Sequence, residues 1–314
     1  MTTSAPAVST APAGLSAAPA ADEGGRRSSR LVVRRSRRRS SRLLLNLAAL
    51  GVFFVSVFPV YWMVSTSFQP NRLIRQPDPS FAPTQPTGGN YHRVLFEESQ
   101  FPFLDALRNS LLVTGFTVVA ALVLALLAAL AVTRFRFRSR RAFIVTILVV
   151  QMLPGEAMIL SVFRLLDGWA LTNTILGLTM VYVAAVLPFT IWTLRGFVAG
   201  VPIELEEAAM IDGCSRPRAF FTITFPLMAP GLIATGVFAF IQAWNEFVLA
   251  LVLMNRPESL TLPVWLRSFK QVNSGTDWGA IMAGSTLMTI PVIVFFLFVQ
   301  ARMTTGLVSG AVKG

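Results

Sequence analysis

The chain has 314 residues, of which 54% are hydrophobic and only 13% are charged. Because soluble globular domains carry about 25% charged residues, much of the surface is expected to face lipid rather than water. The formal net charge is +12, but the positive charges lie in blocks between long apolar runs, which argues against nucleic-acid binding. A single cysteine, Cys214, and a single histidine, His92, exclude an internal disulfide, most metal sites and most hydrolase triads.

Residues 1–42 form a low-complexity tail of Ala, Pro, Ser and Gly that ends in nine arginines. Such a composition cannot bury a core, so the tail is predicted to be disordered. It is expected to bind anionic lipid and fix the topology, with a regulatory or partner-binding role as the alternative. The apolar run that follows is longer than the ~7–15 residues of a signal-peptide core.

Residues 43–314 are predicted to form an all-α membrane domain, a polytopic bundle of six transmembrane helices. A helix needs ~20 mostly apolar residues to cross a bilayer, and six segments meet that requirement. They are approximately Leu43–Thr66, Ser110–Val132, Ala142–Leu165, Ile175–Leu194, Met228–Met254 and Ile281–Val299.

The distribution of Lys and Arg predicts a multi-pass protein of the cell membrane with both termini in the cytoplasm. With the N-terminus inside, the inner segments hold 19 basic residues and the outer segments hold 8. The tail and the block Arg134–Arg141 account for this bias. The first outer loop, about 68–107, is predicted to be irregular with short helices because prolines interrupt it. The third outer loop, about 255–279, is predicted to be an irregular protrusion.

One inner loop, residues 195–227, has the sequence pattern of a helix-turn-helix. Pro202 and the acidic residues after it suit the first turn of a helix, and Gly213 suits its C-terminal stop. Ser215 can cap a second helix, with Pro217 in its first turn and its end before Pro226. Ala208 and Ala209 give the first helix a smooth side for docking. Apolar anchors come from Ile211, Phe220, Phe221 and Ile223.

This loop resembles the EAA loop of ABC importer permeases, and we use that name for residues 195–227. The family pattern is matched by Glu207, Ala208, Ala209, Gly213, Ile223 and Pro226, with Phe225 in place of the usual leucine. The alternative is an amphipathic loop that packs on lipid headgroups. Six spans, the Trp244–Phe247 stretch and the C-terminal end resemble the smaller membrane subunit of maltose-type carbohydrate importers.

The resemblance implies that the EAA loop docks on a dimer of ATP-binding subunits. It also implies a second permease subunit and an extracytoplasmic sugar-binding protein as partners, with membrane lipid around the spans and no nucleic acid. The only lysines, Lys270 and Lys313, do not match a phosphate-binding loop. The chain is therefore expected to bind no cofactor and to be no enzyme, while its partners use ATP and Mg²⁺.

Polar residues at bilayer depth are candidates for the translocation path. Gln242, Asn245 and Glu246 have i, i+3 and i+4 spacing, which places them on one helix face, with Thr235 two turns earlier. They line the path or bond to the partner permease. Glu156, after Pro154 and Gly155, marks a gate hinge or a neutral side chain bonded to a neighbouring helix.

The predicted function is translocation of a sugar by a binding-protein-dependent, ATP-driven importer. The same machine could carry another solute, such as a polyol, glycerol phosphate or amino sugar. A secondary transporter that works alone is the remaining alternative, which broken helices and inverted repeats would favour.

Overall fold

The computed structural model describes residues 24–76, 80–97, 102–271 and 275–311, with side chains except in 24–43, 97, 271 and 302–311. The chain divides into two compact units, Met1–Val60 and Tyr61–Gly314. Residues 1–23 of the predicted tail lie outside the described residues. The structure shows helix from Gly24 onward, which differs from the disorder predicted for 24–42. Arginine is a good helix former, and a helix already nucleated in an adjacent apolar span extends readily.

The described chain is almost entirely helical. In order, the elements are α1 Gly24–Ser67, α2 Asn71–Ile74, α3 Gly89–His92, α4 Phe103–Arg134, α5 Arg140–Gln151, α6 Ile159–Gly168, α7 Ile175–Gly200, α8 Glu204–Ile211, α9 Arg216–Ala219, α10 Phe225–Leu227, α11 Ala229–Asn245, α12 Val248–Leu253, α13 Leu262–Trp265, β1 Lys270–Gln271, β2 Gly275–Thr276 and α14 Trp278–Ala311. Short 3₁₀ or π turns link several of them.

Four continuous helices are long and apolar enough to cross a membrane, and two bent helix pairs bring the number to six if each pair is one span. The all-α membrane fold predicted from sequence is therefore confirmed. Two of the six predicted spans are not continuous helices, however. In the third, α5 meets the segment that contains α6 at 89°. The predicted fifth span, Met228–Met254, is interrupted at Glu246 and Phe247, between α11 and α12, and the helical run of α9 and α10 meets the start of α11 at 67°.

The third span breaks because of its proline. Pro154 has no N–H to donate, and its ring disfavours helical backbone at the preceding residue. The chain leaves the helix after Gln151, and a 3₁₀ turn over Gly155–Met158 follows. The predicted continuous helix Ala142–Leu165 is thus wrong, whereas the kink expected at Pro154 is present. Glu156 is exposed at this bend.

The centre of the second unit is the pair α4 and α7, with α11 packed against both. On α4, fully buried alanines recur every fourth residue, at Ala121, Ala125 and Ala129. Ala125 and Ala129 pack with Leu194 and Val198 of α7. Small side chains let two helix backbones approach closely, which is the usual source of cohesion between helices in lipid.

The outer loops are tied together by a polar cluster around Asp277, just before α14. The Asp277 carboxylate pairs with Arg93 at 2.6 Å, accepts a hydrogen bond from the Asn71 amide at 2.6 Å, and caps the N–H of Ala280 at 2.8 Å. Immediately before it, Lys270–Gln271 pairs antiparallel with Gly275–Thr276. The third outer loop thus contains a short hairpin, which corrects the predicted irregular protrusion.

Candidate functional site

The first helix of the EAA loop is α8, which ends at Ile211 with Asp212 as its C-cap, and Gly213 follows at the predicted stop position. Gly213 has φ +91°, a backbone conformation that side chains strongly disfavour. Its N–H donates to the Met210 carbonyl at 3.1 Å, and the Cys214 N–H donates to the Ala209 carbonyl at 3.0 Å. This pair of bonds is the Schellman motif, which satisfies the last carbonyl groups of a helix. Glycine at 213 therefore fixes the sharp turn between the two helices.

The outward side of α8 is apolar and acidic. Ile211 is 87% exposed, and Glu207, Ala208 and Gly213 are exposed as well. Ala209 is buried, so it does not belong to the docking side to which the sequence assigned it.

The second half of the EAA loop runs further than predicted. Ser215 stands at the N-cap position of α9, and Pro217 lies in the first turn as expected. The helical run does not stop before Pro226 but continues through a π turn, Phe220–Thr224, into α10. A π turn holds an extra residue, which relieves the clash of a proline with the carbonyl four residues earlier. Ile223 is half-buried and Pro226 is exposed.

Two charged side chains join the EAA loop to the rest of the bundle. Arg134, the last residue of α4, lies 3.1 Å from the Glu206 carboxylate. Its guanidinium also donates to the carbonyl of Val201, immediately after α7, at 3.0 Å. From sequence, Arg134 contributes only to the predicted topology. No local pattern could reveal a contact to a partner 67 residues away.

The fifth span is broken at Glu246. Helix α11 ends at Asn245, and Glu246 has extended backbone with ψ 127°. Its carboxylate turns back to accept the N–H groups of Leu249 at 2.7 Å and Ala250 at 3.0 Å, at the start of α12. It also accepts the hydroxyl of Tyr182 from α7 at 2.6 Å. Carboxylates are favourable at helix N-termini because of the helix dipole.

The predicted single face of Gln242, Asn245 and Glu246 is therefore wrong for Glu246, because that residue has left the helix. Gln242 and Asn245 are exposed at the surface of the chain. Thr235 is fully buried and bonds to the Gly231 carbonyl of its own helix. Of these four side chains, those of Gln242 and Asn245 are exposed and that of Glu246 is partly exposed.

We expect Glu246→Ala to destabilise the chain by about 2 kcal/mol or more, because three donors lose their acceptor at bilayer depth. Tyr182 is 3% exposed and Ala250 is fully buried, so water cannot replace the carboxylate. Thermal unfolding in detergent measures the effect. Asn245→Ala is the matched control, since the Asn245 amide bonds only to the Ile241 carbonyl of its own helix. Equal melting temperatures for the two variants would show that the hydrogen bonds to the Glu246 carboxylate do not stabilise the chain.

In the described part of the chain, no group of three His, Cys, Asp or Glu side chains could hold a metal ion. The arrangement consists of an exposed turn at Gly213 and a span that is broken at Glu246. Tyr182 was missed by sequence reasoning, although a hydroxyl within an apolar span is a signal that could have identified it.

Comparison with known proteins adds to this geometry. The family described as binding-protein-dependent transport system inner membrane component matches residues 121–307. The diacetylchitobiose uptake system permease protein DasC of Streptomyces coelicolor is 44% identical over 278 residues, which is 88% of this chain and 99% of that protein. The trehalose/maltose transport system permease protein MalG of Thermococcus litoralis is 34% identical, covering 87% of this chain and 97% of that protein.

Among solved structures, a chain of a bacterial ABC transporter involved in the import of the acidic polysaccharide alginate matches with a TM-score of 0.70. The sequences are 24% identical, and the match covers 84% of this chain and 97% of that chain. At this identity the likeness supports the fold alone.

Proposed function

The chain belongs to the family of binding-protein-dependent transport system inner membrane components, and we propose that it forms part of the membrane path of an ATP-driven sugar importer. The observation that carries this proposal is the EAA loop, whose first helix is followed by an exposed turn at Gly213. The chain that contains it is 44% identical to a permease for diacetylchitobiose uptake. The name of another relative, a trehalose/maltose transport system permease protein, gives trehalose and maltose as its substrates. A sugar is thus the substrate class that the relatives share.

ATP hydrolysis belongs to partner subunits in this proposal, and ATP and Mg²⁺ are bound there. The sequence has no phosphate-binding loop, whereas α8 presents Ile211, Glu207 and Ala208 outward. We assign these residues, together with Gly213, to the contact with the ATP-binding subunits. Ala209, Ile223 and Pro226 complete the motif and hold its two helices in place.

Both termini lie in the cytoplasm in this proposal. Contacts in the structure support a consistent sidedness: Arg134, in the inner basic block, touches the EAA loop at 3.1 Å. On the opposite side, Asn71 of the first outer loop bonds to Asp277 at 2.6 Å. The sugar-binding protein would dock on the side that carries Asp277, and the ATP-binding subunits on the side that carries Arg134.

Gln242 and Asn245 mark the face of the fifth span that meets the sugar or a second permease subunit. Glu156, exposed at the bend of the third span, is assigned to the same path. Broken helices occur here, as they do in secondary transporters, but the family match favours the ATP-driven machine.

Reconstitution tests the proposed function. The chain is purified with its co-expressed partner subunits, placed in liposomes, and supplied with binding protein and labelled diacetylchitobiose, trehalose or maltose. Uptake of at least one sugar should require both ATP and the binding protein. Uptake that continues without ATP would contradict the proposal and favour a secondary transporter.

A further prediction concerns the C-terminal end. Helix α14 has 34 residues, which at 1.5 Å per residue is about 50 Å, whereas the hydrocarbon core is ~30 Å thick. A helix that crosses without tilt therefore has about 20 Å outside the hydrocarbon core. We expect removal of Leu307–Gly314 to lower ATP hydrolysis by the reconstituted complex severalfold while insertion of the chain persists. Wild-type rates after truncation would contradict a role for this end in the ATPase contact.

A further inference from the structure

The contacts of Glu206 join separate parts of the bundle at one atom. Oε1 of Glu206 lies 3.1 Å from Nη2 of Arg134 and accepts the hydroxyl of Thr224 at 2.6 Å. Glu206 belongs to α8, Arg134 ends α4, and Thr224 ends the π turn that precedes α10. The same Nη2 of Arg134 donates to the carbonyl of Val201, which follows α7. We call Arg134, Glu206, Thr224 and Val201 the coupling junction.

The coupling junction is buried although it is charged. The side chains of Arg134 and Glu206 are 14% and 13% exposed, and Thr224 is fully buried. The Nε–H of Arg134 has no acceptor within the described part of the chain. A buried ion pair with an orphaned donor is poor evidence for stabilisation, because desolvation opposes the attraction. The arrangement is better explained by the position that it enforces on the EAA loop.

The EAA loop is joined covalently to α7 on one side and to α11 on the other. On the first side, Val201 directly follows the last residue of α7, and its carbonyl accepts a hydrogen bond from Arg134. Towards α11, the chain bends by 67° at Met228. Helix α4 has no direct covalent link to the loop and reaches it through Arg134. The ion pair therefore gives α4 a direct contact with α8, in addition to the indirect route through α7.

We propose that Arg134 and Glu206 are positioning residues that make α4 and α7 move with the EAA loop when the ATP-binding subunits push on it. This inference rests on the proposed function. The buried contacts of Ala125 and Ala129 with Leu194 and Val198 make α4 and α7 one rigid pair. The coupling junction then links that pair to the loop, and α11 follows through its bend.

The test measures sugar uptake and ATP hydrolysis in the same liposomes for Arg134→Gln, Glu206→Gln and the double variant. We expect each single variant to lower the number of sugars carried per ATP hydrolysed by about fivefold. The double variant should be no worse than the worse single, since residues that act through each other are not additive. Arg136→Gln is the matched control, because Arg136 is exposed two residues further along.

Two outcomes overturn the inference. In one, the ratio of uptake to ATP hydrolysis in Arg134→Gln equals that in the Arg136→Gln control. In the other, the losses of the single variants multiply in the double variant. Thr224→Val is a second test in case the charge variants do not fold. It removes the hydrogen bond from Thr224 to Glu206 and keeps the charges of Arg134 and Glu206. It should lower the ratio about twofold, and an unchanged ratio counts against the junction. Wild-type uptake tests the proposed function separately.

Discussion

Leucine at position 213 should abolish sugar uptake by the reconstituted importer, whereas alanine there should reduce it only modestly. Both residues must adopt φ +91°, which costs an L-residue about 1–2 kcal/mol. An added Cβ meets nothing within 4 Å in this chain. The space next to the turn is therefore open at Cβ. We expect the further loss in Gly213→Leu to arise from a clash with a partner that docks on the turn.

The comparison is made on complexes with equal amounts of inserted chain, by uptake and by stimulation of ATP hydrolysis. Gly213→Asn is the conformational control, because asparagine tolerates positive φ better than alanine does. We expect the order of activity Asn, Ala, Leu, with Leu at least tenfold below Ala. Equal activity of Ala and Leu would mean that no subunit contacts this turn.

Removal of the Asp277 carboxylate should lower the free energy of unfolding by about 2–3 kcal/mol and sharply reduce uptake. In Asp277→Ala, Arg93 loses its ion pair, the Asn71 amide loses an acceptor, and α14 loses its N-cap. The hairpin that ends at Thr276 is then no longer held to Asn71 and Arg93 through the residue that follows it. Uptake should fall because the outer loops lose the contacts that hold them together.

Asp277→Asn separates the contributions, since an amide oxygen can still cap Ala280 but cannot pair with Arg93. Glu258→Ala is the matched control, an exposed acidic residue in the same outer loop. Thermal unfolding in detergent and uptake in liposomes are measured for all three variants. An Asp277→Ala variant as stable as Glu258→Ala would show that the polar cluster does not hold the outer loops together.

The features that could be predicted from sequence are those that depend on residues close together in the chain. The turn at Gly213 follows from the propensities of neighbouring residues, so its position and its positive φ were predictable. The six apolar segments follow from hydropathy in the same way. The break at Pro154 was expected as a kink, although its 89° bend depends on packing that a single segment does not encode.

What could not be predicted depends on distant partners. Glu246 fits a continuous helix by spacing, and it leaves that helix because its carboxylate finds Tyr182, 64 residues away, and two free N–H groups. The coupling junction joins Arg134 to Val201 across 67 residues. The hairpin at Lys270–Thr276 was missed because two-residue strands carry too few side chains to show an alternating pattern.

The alanine-lined contact between α4 and α7 can form only after α7 has been synthesised. The ribosome makes α4 first and completes α7 roughly 65 residues later, which takes about 3–13 s at ~5–20 residues per second. During that interval α4 must persist in the bilayer without the neighbour that will cover its alanines. It can do so because it is the most apolar of the four continuous spans. Lipid thus covers this surface temporarily, until α7 is inserted and displaces it.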